Sequence, residues 1–462
     1  MSEEATLDEF TESTDTENEE IKSRESRFWG EVPEGWELVT GSDVYNVNPN
    51  PKPDSEPNTY IEMDALDTEL PWPKYFGKRN ASEYSGKTFT HGDTLFARIT
   101  PCTENGKAAF VPEMETTVGI GSTEYAVLSP KTDRINSWLL YYLAKSYPVH
   151  NYAVSRMRGS TGRQRVPFSV FRRELDISLP PISEQRKIAT VLYTVDRAIE
   201  KTEESIRKIT RIKQGAMQDI LTRGIVEGRK LRETDSNQFQ QSPRGLIPKD
   251  WELEQIGEIA NISYGINDAI DTSLDDGTPL ITLPCVSSDG ELSLNEEDLA
   301  LVDSEKIDEG DLLTPGDLLF NWRNGSSDHI GKTAYFDESD EYTHVGFLLR
   351  IRVSTTKCIS RFLWWYLRRL KQTGFFEQSK MQVNKSFNSS ELSLLRVPIP
   401  PLDEQETIVE VLDSIEDRLE SEMEYKNQLQ RFKQDLMQDL LSGTVRTTDT
   451  NIEVPDEIAQ HG

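Results

Sequence analysis

The sequence predicts an α+β fold assembled twice: two similar mixed β/α domains, each followed by a long helix, the two helices paired as a coiled coil within an internal pseudo-twofold repeat. Three observations predict it. The stretch from Pro180 to Thr222 returns from Pro400 at a constant offset of 220 without a gap, carrying Glu184 to Glu404, Gln185 to Gln405, Lys213 to Lys433 and Met217-Gln218-Asp219 to Met437-Gln438-Asp439. The phrase VPEGWELV from Val32 returns as IPKDWELE from Ile247, so the duplicated unit includes the block ahead of the helix. In both copies of the long stretch the apolar residues step by four and three, the spacing of a helical seam.

Residues 1–27 hold ten acids against three bases. With almost no large apolar groups they cannot bury enough surface to offset the entropy of ordering, and a disordered acidic tail is expected. Globular domains are predicted over 28–181 and 246–401, with the same milestones in each. HGDTLFARIT (91–100) and PGDLLFNWRNG (315–325) are Gly-Asp turns feeding a short apolar strand that delivers Arg98 or Arg323 past its end. GKAAFVP and GKTAYF follow, then the strand-like EYAVLSP and GFLLRIRV, then the short amphipathic helices NSWLLYYLAKS and SRFLWWYLRRL. Val, Ile, Thr and aromatics punctuated by Gly, Pro and Asp predict largely β blocks with a few helices.

The long helices are predicted over 182–222 and 402–442, each a rod on the order of 60 Å at ~1.5 Å per residue. Their seams are Ile188, Leu192, Val195, Ile199, Ile206, Ile209, Ile212 and Ala216, and Ile408, Leu412, Ile415, Leu419, Leu429, Phe432 and Leu436. Ser183 and Asp403, each after Pro-Pro, read as N-caps with Glu and Gln in the first turn. Burying the two seams against one another is the simplest solution; packing each helix on its own block is the alternative. The middle is the weaker part, because Thr202 and Ile206 correspond to Glu422 and Lys426, and polar seam positions fix register at a cost in stability. Residues 223–245, rich in Gly, Ser, Gln and charge, predict a linker, and 443–462 a flexible tail.

Cys102, Cys285 and Cys358 are too few and too scattered for a disulfide framework, no apolar run has the length of a membrane span, and the N-terminus has no basic-then-apolar signal. A soluble cytoplasmic protein is expected, with no membrane partner. The net charge of -29, from 80 acidic and 51 basic side chains, argues against nucleic acid, since phosphate binding needs cationic surface. The tail accounts for only part of that excess, and the rest reads as a body adapted to a salty, halophilic cytoplasm.

Catalytic and metal-binding patterns are absent from the sequence. His91, His150, His329, His344 and His461 show no ligand spacing, and no His-Glu-x-x-His, Cys-x-x-Cys or Gly-x-Ser-x-Gly occurs. ASEYSGKT (81–88) loosely follows a phosphate loop but sits before a turn and strand where that loop needs a helix. Local charge does stand out. Residues 153–173 hold six arginines and no acid, and 361–385 hold Arg361, Arg368, Arg369, Lys371, Lys380 and Lys385 against Glu377 alone. Arg with Gln or Asn among Gly and Ser are the side chains that read G and A edges bidentately in a major groove. The candidate DNA contacts are therefore Arg156, Arg158, Arg163, Gln164, Arg165, Lys380, Gln382, Asn384 and Lys385, with Arg98, Arg323 and Asn324 at strand ends. Arg172, Arg173 and Arg368 are equally suited to pairing with the acidic surface.

The doubled Pro-Pro-x-x-Glu-Gln before a helix, with GDLLFNWRNGSSDHIGKTAYF and VPIPPLDEQETIVEVLDSI, resembles the specificity subunit of type I restriction-modification systems, over residues 28–445. The resemblance implies a non-catalytic DNA-recognition protein. Its two target-recognition domains would each read one half of a bipartite double-stranded DNA site, and an antiparallel helical rod would space them and dock two methyltransferase subunits. An endonuclease/translocase subunit is an optional further partner. No cofactor is implied on this chain; S-adenosylmethionine, ATP and Mg would belong to the partner subunits. The acidity and the N-terminal extension depart from that pattern. A coiled-coil scaffold with two ligand-binding β domains and no DNA role competes with it, but leaves the two basic stretches at equivalent positions without an account.

Overall fold

The computed structural model describes residues 25–53, 56–83, 85–226, 228–233, 237–267, 274, 276–287, 289–295, 297–323, 326–378 and 386–461. Most of the expected acidic tail lies outside them. The chain forms two compact units: the first runs to Ser205 and includes Met423–Gly462, and the second is Ile206–Glu422.

In the first unit the Gly-Asp turn works as the sequence implies. Gly92 takes φ 84°, a left-handed conformation that glycine adopts without steric cost, and the Asp93 carboxylate accepts from the Thr90 N–H at 2.7 Å. The turn launches strand Thr94–Ala97 into a four-stranded sheet ordered Tyr45–Val47, Tyr125–Pro130, Thr94–Ala97, Ala108–Phe110. Side chains alternate across a strand, and here both faces are covered. Phe96, Phe110, Ala126 and Leu128 pack on Trp138 and Tyr142 of helix Ser137–Lys145, while Leu95, Ala97, Ala109 and Val127 pack on Ile61 and Phe89 of a second sheet. That second sheet runs Gly77–Arg79, Asn58–Ile61, Val118–Gly121, Lys87–Thr90, so the GKT of ASEYSGKT enters a strand, as the flanking residues require.

The second unit repeats this plan. Its sheet is ordered Ala260–Tyr264, Leu348–Val353, Leu318–Asn321, Thr333–Tyr335. Leu318, Phe320, Leu349 and Ile351 face helix Ser360–Gln372, and Leu319, Ala334 and Leu348 face Leu280 and Ile281 of a sheet ordered Ala300–Val302, Thr278–Ile281, Thr343–His344.

The long helices span Ile182–Arg223 and Leu402–Ser442. Each starts one residue before the expected cap, so Ser183 and Asp403 sit in the first turn. The Pro-Pro-x-x-Glu-Gln motif is a lock between block and helix. Gln185 donates to the carbonyls of Pro180 (2.8 Å) and Arg134 (3.1 Å) and accepts from the Asn136 N–H (2.8 Å). Gln405 does the same with Pro400, Lys357 and Ile359, each at 2.8 Å. Glu184 accepts from the indole N–H of Trp36 (3.0 Å), and Glu404 from that of Trp251 (3.1 Å). These are the tryptophans of the repeated phrase, which explains why phrase and motif are duplicated together.

The described residues of the expected linker and tail take part in the lock. Residues 223–245 supply antiparallel ladders, Ile225–Val226 with Lys230–Leu231 and Phe239–Ser242 with Gly245–Pro248, and Arg232 forks onto Glu404 at 2.5 and 2.8 Å. After the second helix, Arg446 forks onto Glu184 at 2.8 and 2.9 Å. Ile458 is then buried in the first unit's core, the Asn136 amide donates to its carbonyl (3.0 Å), and the His461 ring lies 4.6 Å from His91. Composition hid this because a few anchors, each with a partner far along the chain, suffice to hold such a segment.

Ile188, Leu192, Val195, Ile199, Ile408, Leu412 and Leu419 are buried, and Ile209, Ile415 and Leu429 are half-buried. In each unit residues of both helices share a core with the globular block. In the first unit Ile188 and Leu192 share one core with Met437, Leu440 and the short helix; in the second, Met217 and Leu221 share one with Ile408, Leu412 and Trp365. Ile212 and Phe432, expected inside, are exposed, and the next residues, Lys213 and Lys433, are buried instead. An α-helix with 3.6 residues per turn drifts from a strict seam, and two successive steps of four, through Ile209, Lys213 and Met217, absorb the drift.

Candidate nucleic-acid interface

In the first unit, helix Tyr147–Ser155 ends at Arg156, and the chain turns through a narrow hairpin in which Arg158 and Arg165 exchange backbone hydrogen bonds at 3.0 and 2.9 Å. Ser160, Thr161 and Gly162 form the tip, with Gly162 at φ 78°. The hairpin is stitched to the end of strand Thr94–Ala97: Thr100 N–H donates to the Gln164 carbonyl (3.0 Å) and Val166 N–H to the Arg98 carbonyl (2.9 Å).

The side chains divide into two classes. Arg158 and Arg163 are exposed, with no hydrogen-bond or ion-pair partner among the described residues. Arg156, Arg165 and Arg98 are committed internally. Arg156 donates to the Tyr152 hydroxyl (2.7 Å) and lies 3.3 Å from Glu174. Arg165 forks onto Glu124 at 2.7–3.0 Å. Arg98 donates to the Val166 carbonyl (2.9 Å), stacks 4.1 Å from the Phe168 ring centroid and sits 3.6 Å from Glu124. Arg98 and Arg165, both expected at the bases, have their guanidiniums drawn inward by the Glu124 carboxylate beside them. Gln164 is half-buried, with its backbone carbonyl in the stitch.

In the second unit Arg323 is exposed past strand Leu318–Asn321, its backbone bridged to Ser386 and its guanidinium 6.0 Å from the Trp322 ring centroid. Asn324, Lys380, Gln382, Asn384 and Lys385 lie outside the described residues. Other members of that basic stretch are spoken for. Arg361 pairs with Asp413 (3.0 Å), Lys371 with Glu377, and Arg368 is buried between Trp364 and Trp365 against Glu416 (2.9 Å). Arg172 and Arg173 are exposed.

The model for the type I restriction modification DNA specificity domain matches residues 33–211 and 248–431, one copy for each repeat. The chain belongs to this family. Among its relatives, the type I restriction enzyme EcoAI specificity subunit of Escherichia coli is 34% identical over 174 residues, 37% of this chain and 29% of that protein. The chain thus matches under a third of that relative's length. The MjaVIII specificity subunit of Methanocaldococcus jannaschii is 25% identical over 309 residues, 64% of this chain and 68% of the relative. Among solved structures, the type I restriction-modification system S subunit from M. genitalium superposes with a TM-score of 0.54 at 12% identity, covering 88% of this chain and 96% of that one, which is a likeness of fold.

Within this specificity-domain chain, the repeated milestones of the sequence set Arg98 against Arg323. The structure shifts that pairing by one. Val166 N–H donates to Arg98 as Phe387 N–H donates to Trp322 (2.7 Å), and Ile99 bridges Arg165 as Arg323 bridges Ser386. Trp322 therefore stands where Arg98 stands. Glu124 was missed because nothing local distinguishes one acid before a strand. The pairs Asp196–Lys433 (2.5 Å) and Glu416–Lys213 (2.7 Å) had a usable signal: both the acid and the base of each pair are carried across the repeat at the offset of 220.

Proposed function

We propose that this chain is the DNA sequence-specificity subunit of a type I restriction-modification complex, non-catalytic itself, whose two domains each read one half of a bipartite double-stranded site. The observation that carries the reading is the hairpin at 158–165: two arginines whose side chains have no partner among the described residues flank a glycine-bearing tip in a chain whose net charge is -29. Family membership of both repeats supports it, and the scaffold reading has no use for such a hairpin. In concentrated salt the Debye length falls to ~3 Å, so recognition here rests on base contacts and shape more than on long-range attraction to phosphates.

The long helices set the spacer between half-sites and dock two methyltransferase subunits. Exposed Ile212 and Phe432, equivalent under the repeat, favour two like docking points. S-adenosylmethionine, ATP and Mg reside on those partners and on an endonuclease/translocase subunit where one joins. The test is methylome sequencing of cells carrying the complex. Arg158→Ala or Arg163→Ala relaxes one half-site only, by about 1–3 kcal/mol per lost bidentate contact. Inserting four residues near Thr202 changes the spacer and leaves both half-sites intact; altered half-sites, or loss at both from a single Arg variant, overturns the reading.

A further inference from the structure

We infer that Glu124 is a positioning residue that holds the first unit's reading loop in shape by charge, whereas the equivalent backbone bridge of the second unit carries an aromatic contact in place of that ion pair, so that salt loosens the reading of one half-site more than the other. The inference rests on the functional reading above for what the loop does.

Glu124 immediately precedes strand Tyr125–Pro130 and, among the described residues, is the only carboxylate paired with the Arg98 and Arg165 guanidiniums at the hairpin's base. Arg165 belongs to the hairpin; Arg98 belongs to the sheet and also caps the Val166 carbonyl and the Phe168 ring. One carboxylate therefore ties the free-arginine tip to the rigid sheet. The tie is partly wet: the Glu124 and Arg165 side chains are 21% and 39% exposed, a setting in which mobile ions weaken an ion pair.

The second unit has the same backbone stitch with different fillings. Strand pairing sets Tyr125 against Ala97 and Leu348 against Asn321, which makes Phe347 the counterpart of Glu124, as Trp322 is of Arg98 and Ser386 of Arg165. Trp322 donates its indole N–H to the Gly346 carbonyl (2.7 Å) and meets Tyr264 edge-on at 5.3 Å. Among the described residues no ion pair takes part in that strut, so added salt is expected to loosen it less. Phosphate contacts weaken with salt at either loop; the difference between half-sites isolates the strut.

The experiment uses the full chain assembled with its methyltransferase partners, scoring methylation of duplexes with one or the other half-site altered, from low to molar KCl, alongside amide exchange of the isolated full-length chain. Glu124→Gln is expected to lower discrimination at one half-site about tenfold, leave the other unchanged, and abolish the extra salt dependence of the affected half-site. Exchange at the Arg158 and Arg165 amides rises about tenfold while that at Phe387 does not. Glu124→Asp falls between. If Arg165 were itself a base reader, releasing it would preserve or raise discrimination; that result, equal losses at both half-sites, or unchanged exchange in the hairpin overturns the inference. A wild-type complex that methylates no bipartite site refutes the functional reading instead, and the exchange measurement still decides whether Glu124 holds the loop.

Discussion

Both units close the start of a long helix with a glutamate, a tryptophan and an arginine, but they set the arginine at different depths. Arg232 on Glu404 is 9% exposed and also reaches Asp250, while Arg446 on Glu184 is 31% exposed. Burial alone would raise the Glu184 carboxyl; the hydrogen bonds from Arg446, Trp36 and the Thr447 N–H hold it below its usual range. The copies thus keep the same carboxylate lock where block meets helix, and diverge in how dry it is and, at the equivalent backbone bridges, in whether an ion pair or an aromatic ring stands beside the bridge. Duplication retains the frame wherever a buried polar group must be satisfied and leaves the rim free to change.

The largest effects test the lock. Arg232→Ala strands Glu404 without its cation in a dry site and is expected to destabilise the second unit by roughly 3–5 kcal/mol. Arg446→Ala acts on a wetter pair and costs the first unit about 1–3 kcal/mol. Hydrogen exchange resolved by unit reads each loss separately; equal losses, or losses that appear in the wrong unit, break the comparison.

The buried helix pairs give the next contrast. Lys433 faces Asp196, whose other partner is the Tyr142 hydroxyl (2.8 Å), and burial pushes that carboxyl up in spite of the lysine. Lys213 faces Glu416, which Arg368 also pairs; burial opposes ionisation there too, but two cations bring the Glu416 carboxyl below its usual range. Lys433→Met should cost about 3 kcal/mol, and Lys213→Met, which leaves Arg368 in place, about 1 kcal/mol. Urea melts of the two variants check the ranking.

What was legible in the sequence follows from locality. The offset of 220, the Gly-Asp turns and the strand and helix periods are written in neighbouring residues, and they yielded both domains and both long helices. The part that linker and tail take in the lock was not legible, since Arg232 meets Glu404 and Arg446 meets Glu184 across 172 and 262 residues. At the candidate interface the basic hairpin was visible as composition. Which of its arginines are free was not, because that is decided by Glu124, just before a strand and 41 residues away from Arg165.

The smallest predicted effect separates two aspartates that begin the same way. Asp93 and Asp317 each follow a left-handed glycine and accept a backbone N–H at the turn, from Thr90 (2.7 Å) and Thr314 (2.8 Å). Asp317 is also forked by Arg352 at 2.6 and 2.7 Å. Among the described residues Asp93 has no such cation, and burial pushes its carboxyl from 3.8 up to about 6. A carboxyl whose folded pKa lies above its unfolded one favours folding in its protonated form. Its ionisation therefore costs nothing below about pH 4, an increasing amount between about pH 4 and 6, and the full penalty above that. Asparagine keeps the carbonyl that accepts the Thr90 N–H and removes the charge. Asp93→Asn should then stabilise the first unit by ~1–2 kcal/mol at pH 7, with the gain vanishing near pH 4. Asp317→Asn, which leaves Arg352 unpaired, should destabilise the second unit by ~1 kcal/mol at pH 7. Thermal melts across pH 4–8 decide it: a shift of the same sign in both variants, or a gain for Asp93→Asn that persists at pH 4, means that the two turns do not differ in the way their charges are met.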